Sequence, residues 1–128
     1  MIEILVVDDD AQVRQMVASM LRALGHSVVT ASNGEEAVNI FRGARLRINL
    51  ILTDLRMPVM DGHELVRRIL AMQSTATIIC MSAYTESQCP PGTVFMAKPF
   101  TMETVRDCIT RALGTSGIPT NANARIAT

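Results

Sequence analysis

Acidic, hydroxyl and amino side chains follow short apolar runs of this sequence, in a pattern that suits phosphate chemistry. Asp54 ends a run that begins at Leu50. An acid at the end of a buried strand is costly to place unless something binds it, so Asp54 is the first candidate for a chemical role. Asp8 to Asp10 follow a second apolar run, Ser82 follows a third and Lys98 follows a fourth.

These residue types together indicate a site for a metal ion and a phosphoryl group. Several carboxylates placed close together raise each other's pKa values, and a hard divalent cation relieves that conflict. Mg2+ fits because it needs one or two carboxylates and keeps several waters. A lysine ammonium and a serine hydroxyl can stabilise the oxygens of a transferring phosphoryl group. Asp54 would then be a nucleophile that forms an aspartyl phosphate.

The elements that must position these residues are short strands that alternate with helices. Continuous apolar runs predict strands buried on both faces of a parallel sheet, at residues 4–7, 28–31, 50–52, 77–81 and 93–97. Apolar residues at three- and four-residue spacings predict helices at 11–24, 35–42, 62–72 and 101–113. The expected N-terminal caps are Asp9 or Asp10, Ser32 or Asn33, Asp61, and Thr101. In such sheets ligands bind beyond the carboxyl ends of the strands, so we expect the polar residues to meet there.

Composition narrows the class of protein. A chain of 128 residues with 48% hydrophobic and 19% charged residues suits one globular domain. Its net charge of zero gives no reason to expect nucleic acid or a membrane surface as a direct partner. Three cysteines without a CxxC pair indicate free thiols, and no signal peptide or long apolar span is evident. We expect a cytoplasmic domain over residues 1–114, with 115–128 as a disordered tail, linker stub or cloning remnant.

Four motifs resemble the receiver domain of two-component response regulators, over about residues 2 to 113. They are Val6-Val7-Asp8-Asp9-Asp10, Asp54-Leu55-Arg56-Met57-Pro58 with Met60-Asp61-Gly62, Met81-Ser82-Ala83, and Lys98-Pro99-Phe100. The resemblance implies an α/β fold, a flavodoxin-like doubly wound sheet of five parallel strands in the order 2-1-3-4-5. It also implies a cis peptide bond before Pro99.

The same resemblance implies a role for each site residue. Asp54 would be the phosphoacceptor, with Ser82 and Lys98 beside it in the catalytic group. Asp8, Asp9, Asp54 and the backbone carbonyl of Arg56 would bind Mg2+. Ser82 and Phe95 would form the switch, and Arg56 and Tyr84 would flank the phosphate and shield it from water.

Structural roles are the alternative for each of these residues. Asp8, Asp9 and Asp10 could simply cap the first helix, and Asp10 is the most natural cap. Ser82 could be an ordinary turn hydroxyl and Lys98 a solvated lysine. Phe95 could belong only to the core.

The segment after Ser82 departs from the family pattern. The interval from Ser82 to Lys98 is short, and Pro90-Pro91-Gly92 cannot lie inside a helix. We therefore expect helix four to be shortened or replaced by a loop. The region 83–97 would then carry a non-standard surface for a downstream protein partner or a self-dimer.

The leading function is a receiver that takes a phosphoryl group from a sensor histidine kinase or a phosphotransfer protein onto Asp54 and then switches a partner surface. Such a domain catalyses its own phosphorylation and dephosphorylation, but it is a signalling protein rather than a metabolic enzyme. The alternative is a phosphorylation-independent interaction or dimerisation module with the same fold. A phosphatase with the DxDxT pattern is disfavoured because Leu55-Arg56-Met57 follows Asp54.

Overall fold

A computed structural model describes residues 2–44, 47–72, 75–82, 89–113 and 126–127 of the chain. Five of its strands are β1 (Glu3–Val7), β2 (Ser27–Ala31), β3 (Leu50–Asp54), β4 (Thr77–Ser82) and β5 (Thr93–Ala97). The helices are α1 (Ala11–Ala23), α2 (Gly34–Ala44), α3 (Gly62–Ala71) and α4 (Met102–Ala112). None of these helices is long and apolar enough to cross a membrane.

The five strands form a parallel sheet in the order β2-β1-β3-β4-β5. The central strand β1 pairs with a neighbour on each side, so that Leu5 lies opposite Val29 of β2 and Ile51 of β3. This arrangement confirms the predicted flavodoxin-like sheet. The switch in strand order between β1 and β3 leaves a crevice beyond the carboxyl ends of the strands.

Each face of the sheet packs against its own pair of helices. Leu5 belongs to a buried cluster that includes Phe41 of α2 and residues of α3. Val6, its neighbour in β1, belongs to a cluster on the other face with Leu21 of α1 and Ile109 of α4. Full burial of one such side chain contributes about 1.5–3 kcal/mol, so the two clusters fix the helices on both faces. This explains why the strands are apolar throughout rather than alternating.

Side-chain caps fix where the helices begin. The side-chain oxygens of the capping residues accept hydrogen bonds from backbone N–H groups two or three residues later. Asp10 accepts from Gln12 (2.9 Å), Asn33 from Glu36 (2.8 Å), Asp61 from Glu64 (2.9 Å) and Thr101 from Thr104 (3.2 Å). Each cap of this kind stabilises its helix by about 1 kcal/mol. Because Asp10 takes the capping position of α1, Asp8 and Asp9 are left in the loop at the edge of the sheet.

The predicted loss of a full helix four concerns the connection from β4 to β5. Residues 83–88 of this connection lie outside the described residues. Residues 89–92, just before β5, form a bend and a turn, in which Gly92 has a φ of +86°. The Thr93 hydroxyl closes the turn by donating to the carbonyl of Pro90 at 2.7 Å. No helix lies between β4 and β5 in the described part of the chain, as the prolines predict.

Two residues of the C-terminal tail are described. Ile126 and Ala127 form a short strand, β6 (Ile126–Ala127), that pairs antiparallel with Val94 and Thr93 of β5. The physical reason is that β5 is the edge of the parallel sheet and offers unpaired backbone groups to an extended segment. The rest of the stretch 114–128 lies outside the described residues, so the domain boundary near residue 114 stays a prediction.

The loop between β3 and α3 turns sharply at Val59, whose φ is +71°. The backbone N–H of Met60 donates to the carbonyl of Pro58 at 2.7 Å, which closes a three-residue turn around Val59. A positive φ is an outlier for a β-branched residue, and such strain costs about 1–3 kcal/mol.

We expect the substitution Val59→Asn to raise the free energy of unfolding by about 1 kcal/mol, since asparagine adopts positive φ more readily. The Val59 side chain is 76% exposed and has little packing to lose. Urea denaturation would measure the gain. Val59→Ala is the control, because it keeps an ordinary L residue at this φ and should gain less. A lower stability for Val59→Asn would contradict the strain.

Candidate phosphoryl-transfer site

The carboxyl ends of β1, β3 and β5 bring three predicted site residues together at one edge of the sheet. Asp8 follows β1, Asp54 ends β3 and Lys98 follows β5. The Nζ atom of Lys98 lies 3.3 Å from Oδ2 of Asp8 and 3.3 Å from Oδ2 of Asp54. One ammonium group therefore lies between two acids that are far apart in sequence, as the strand ends predict.

A third acid completes a cluster of carboxylates. One oxygen each from Asp8, Asp9 and Asp54 lies within 4.8 Å of the others. Asp8 is buried, Asp54 is half-buried and Asp9 is exposed, so the cluster opens to solvent on one side. Hard oxygen donors with room for water match the coordination that Mg2+ prefers, and these three residues can hold that ion.

Asp8 is held from four directions. Its backbone N–H donates to the carbonyl of Ala31 (3.2 Å), and its own carbonyl accepts from Nη1 of Arg14 (2.7 Å). Its carboxylate accepts from the backbone N–H of Asp10 (2.9 Å) and from Lys98 Nζ (3.3 Å). The acid at the centre of the cluster is thus fixed in position before any ligand arrives.

Burial raises the pKa of Asp8 above its ordinary value. The Asp10 N–H and the Lys98 ammonium oppose this rise, whereas the neighbouring charge of Asp54 adds to it. The rise remains even though Lys98 is present, so one ammonium does not offset the cost of burying this carboxylate among others. A divalent cation would supply the missing positive charge.

Ser82 and Lys98 are neighbours through their backbones. The N–H of Lys98 donates to the carbonyl of Ser82 at 2.8 Å, and Ser82 is 2% exposed. The Lys98–Pro99 peptide bond is cis, as the resemblance implies. The switch role of the Ser82 hydroxyl stays a prediction.

The remaining predicted residues lie around this centre at different depths. Phe95 is half-buried and packs against the cluster on the α2–α3 face, which agrees with both a core role and a switch role. Arg56 is exposed, and its backbone N–H lies 3.4 Å from Oδ1 of Asp54. Its role as a carbonyl ligand and its role in flanking the phosphate stay predictions. Tyr84 lies outside the described residues.

Two residues that support the site are not among the residues predicted from the sequence. Arg14 reaches back from α1 to the carbonyl of Asp8. A positive charge in the first turn interacts unfavourably with the helix dipole, so the position of Arg14 in the sequence indicates a role other than stabilising the helix. The sequence predicts Gly62 as the first residue of a helix, but a Cβ atom there would lie 2.5 Å from the carbonyl oxygen of Asp54. No pattern in the sequence signals that close approach.

Comparison with known proteins gives the family. The family model for the response regulator receiver domain matches residues 4–110. The sporulation initiation phosphotransferase F of Bacillus subtilis (strain 168) is 30% identical over 117 residues, which cover 87% of this chain and 93% of that protein. The probable transcriptional regulator ycf27 of Porphyra purpurea is 40% identical over 84 residues, 66% of this chain. That match covers 33% of the regulator, so the chain corresponds to about a third of its length.

Solved structures agree with the sequence match. The chemotaxis protein CheY4 of Vibrio cholerae superposes with a TM-score of 0.79 at 31% identity, over 88% of this chain and 98% of that one. The receiver domain of a Pseudomonas aeruginosa PAO1 sensor histidine kinase, crystallised with magnesium in its active site cleft, gives 0.75 at 31% identity, over 88% and 97%.

A third structure contains a partner. It is a co-crystal of a Saccharomyces cerevisiae histidine phosphotransfer signalling protein with the receiver domain of its downstream response regulator, and gives a TM-score of 0.78 at 26% identity, over 91% of this chain and 92% of that one. One of these solved receiver domains thus holds magnesium in its active site cleft, and another is bound to a histidine phosphotransfer protein. With the sequence pattern and the fold both present, the chain belongs to the response regulator receiver domain family.

Proposed function

We propose that this chain is a phosphoacceptor of a two-component phosphorelay, in which Asp54 takes a phosphoryl group from a sensor histidine kinase or a phosphotransfer protein. The observation that carries the proposal is the placement of Asp54 beside the carboxylates of Asp8 and Asp9 and the ammonium of Lys98. The co-crystal of a relative with a histidine phosphotransfer protein supports this class of donor.

In the proposed reaction a carboxylate oxygen of Asp54 attacks the phosphorus atom of a phosphohistidine. The new P–O bond forms as the P–N bond breaks, and the electron pair of that bond returns to the imidazole nitrogen, which takes up a proton. Asp8, Asp9, Asp54 and the carbonyl of Arg56 would hold Mg2+, which when bound supplies positive charge against the phosphoryl oxygens.

The Lys98 ammonium, which already bridges two of these acids, would pair with the phosphorylated Asp54. The buried Ser82 hydroxyl would turn toward the phosphate and donate to it, and Phe95 would move in response. The signal would leave through region 83–97, to a downstream protein or a second copy of the chain; of that region, residues 89–97 are described.

The test is incubation with acetyl phosphate and Mg2+, followed by intact mass spectrometry. We expect the wild-type chain to gain the mass of one phosphoryl group and Asp54→Ala to gain none, because the nucleophile is gone. The matched control is Asp107→Ala, which removes an exposed acid from α4 and should gain the group normally. No gain in the wild type would contradict the proposal and favour the phosphorylation-independent interaction module.

The same assay tests the residues proposed to flank the phosphate. We expect Arg56→Ala to speed the decay of the phosphorylated form by up to about ten-fold, a change of about 1.4 kcal/mol in the barrier, since water would reach the phosphorus atom more easily. The decay is followed by mass after the acetyl phosphate is removed. An unchanged decay rate would count against shielding by Arg56.

We also propose a cytoplasmic location. Cys80, Cys89 and Cys108 are buried and form no disulfide bonds, which suits a reducing compartment. Zero net charge supports a protein partner rather than direct contact with nucleic acid.

A further inference from the structure

Arg14 makes a contact that its position in the helix does not explain. It lies in the first turn of α1, where a positive charge is unfavourable because the helix dipole is positive there. Its side chain is half-buried, and Nη1 donates to the backbone carbonyl of Asp8 at 2.7 Å. This bond reaches back six residues and crosses the loop that carries Asp9.

The carbonyl that Arg14 contacts belongs to the peptide unit that joins the two metal-binding acids. A peptide unit is planar, so holding the oxygen of Asp8 also fixes the N–H and the Cα position of Asp9. Asp9 is exposed. The bond from Arg14 therefore fixes the backbone from which the Asp9 side chain extends beside the buried carboxylate of Asp8.

An acidic side chain near the start of α2 adds a favourable charge interaction with Arg14. Glu36, at the start of α2, accepts from the backbone N–H of Ser32 at 2.6 Å and from its hydroxyl at 2.8 Å. These bonds lower the pKa of Glu36, and the charge of Arg14 lowers it further. The guanidinium thus interacts electrostatically with a hydrogen-bonded carboxylate at the start of α2 while it binds the β1–α1 loop.

We infer that Arg14 is a positioning residue for the Mg2+ site, which it aligns by holding the Asp8–Asp9 peptide. The inference rests on the proposed function, since it concerns the same carboxylates. Residues that orient metal ligands in this way typically change metal affinity by about 10–100-fold when they are replaced.

Charge and positioning predict opposite results when Arg14 is replaced. If Arg14 acted only through its charge, its removal would take a cation away from a cation-binding site, and Mg2+ would bind more tightly. If Arg14 positions the peptide, its removal lets the Asp9 carboxylate move, and Mg2+ binds more weakly. The direction of the change therefore separates the two roles.

The experiment titrates Mg2+ alone into the wild-type chain, Arg14→Met and Arg14→Ala by isothermal calorimetry. Methionine keeps an apolar stem while removing the charge and the donor, and alanine removes the stem as well. Both variants should bind Mg2+ about ten-fold more weakly than the wild type. At saturating Mg2+ the rate of phosphorylation by acetyl phosphate should return to the wild-type value, because the nucleophile and Lys98 are intact.

Arg22→Met is the matched control. Arg22 lies in the same helix and donates to the backbone carbonyl of Val28 at 3.4 Å. The variant Arg22→Met therefore removes the same kind of hydrogen bond at a position away from the site. Its Mg2+ affinity should be unchanged. Urea denaturation without Mg2+ checks that every variant is folded.

Equal or tighter Mg2+ binding by both Arg14 variants would overturn the inference, as would a rate that stays low at saturating Mg2+. Both results differ from failure of the proposed function, in which the wild-type chain itself would bind no Mg2+ or gain no phosphoryl group.

Discussion

Replacing Gly62 with alanine is expected to lower the free energy of unfolding by about 3 kcal/mol. The added Cβ atom would lie 2.5 Å from the carbonyl oxygen of Asp54 and 2.7 Å from Cα of Leu55. Both contacts are with backbone, which cannot rotate away as a flexible side chain can. The backbone N–H of Gly62 also donates to the carbonyl of Leu55 at 2.9 Å, so the two segments are tied together at the point of overlap.

The matched control for this prediction is Gly43→Ala. Gly43 lies near the end of α2, and a Cβ atom there would meet nothing within 4 Å. Alanine is the better helix former, so this variant should gain about 0.5–1 kcal/mol. Urea denaturation of both variants gives the comparison. Equal stabilities for Gly62→Ala and the wild-type chain would show that the β3–α3 loop can shift freely.

Gly62→Ala should also slow phosphorylation, because the displaced atoms belong to the peptide that follows the nucleophile. Relief of a 2.5 Å overlap moves either the Asp54 carbonyl or the start of α3. A small displacement at a reacting group can cost about a hundred-fold in rate. The rate is measured with acetyl phosphate at a temperature where the variant remains folded.

The strand ends made the centre of the site predictable. Parallel strands bury both faces, so a continuous apolar run marks both the strand and its carboxyl end. Asp8, Asp54 and Lys98 each follow such a run, and this alone brings them to one edge. The caps were predictable for a similar reason, since Asp10, Asp61 and Thr101 are short polar residues directly before helical patterns.

Long-range contacts were not predictable in this way. The target of Arg14 depends on a rotamer and on the path of a loop, which no spacing of apolar residues encodes. The close approach at Gly62 depends on how α3 lies against the end of β3. The pairing of Ile126 with Val94 depends on the free edge of a folded sheet, and a short polar tail carries no strand pattern of its own.

The second large effect is expected for the free energy of unfolding of Asp8→Asn. It should be higher than that of the wild type without Mg2+ and lower than that of the wild type with Mg2+. Burial raises the pKa of Asp8, so the folded state holds the proton more tightly than the unfolded state. Ionised Asp8 therefore costs stability at neutral pH, and this cost fades as the pH falls through the pKa of the folded state. Without Mg2+, removing the charge should raise the free energy of unfolding by about 1 kcal/mol.

Asparagine can keep the local geometry while it loses the ion. Its amide oxygen can still accept from the backbone N–H of Asp10, and Lys98 keeps its partner in Asp54. Wild-type protein should gain about 2.7 kcal/mol when Mg2+ is present at one hundred times its dissociation constant. Asp8→Asn should lose most of that gain, because one of three charged ligands is gone.

Asp107→Asn makes the same chemical change away from the carboxylate cluster. Asp107 is exposed on α4, with Nε of Arg106 3.6 Å from its carboxylate, and an exposed pair of this kind contributes little. This control should keep the wild-type stability and the full effect of Mg2+. Chemical denaturation of the three proteins with and without Mg2+ gives all six values. If Asp8→Asn were less stable than the wild type without Mg2+, ionised Asp8 would not cost the folded state stability, and the prediction would be wrong. If it kept the full effect of Mg2+, the ion would bind elsewhere.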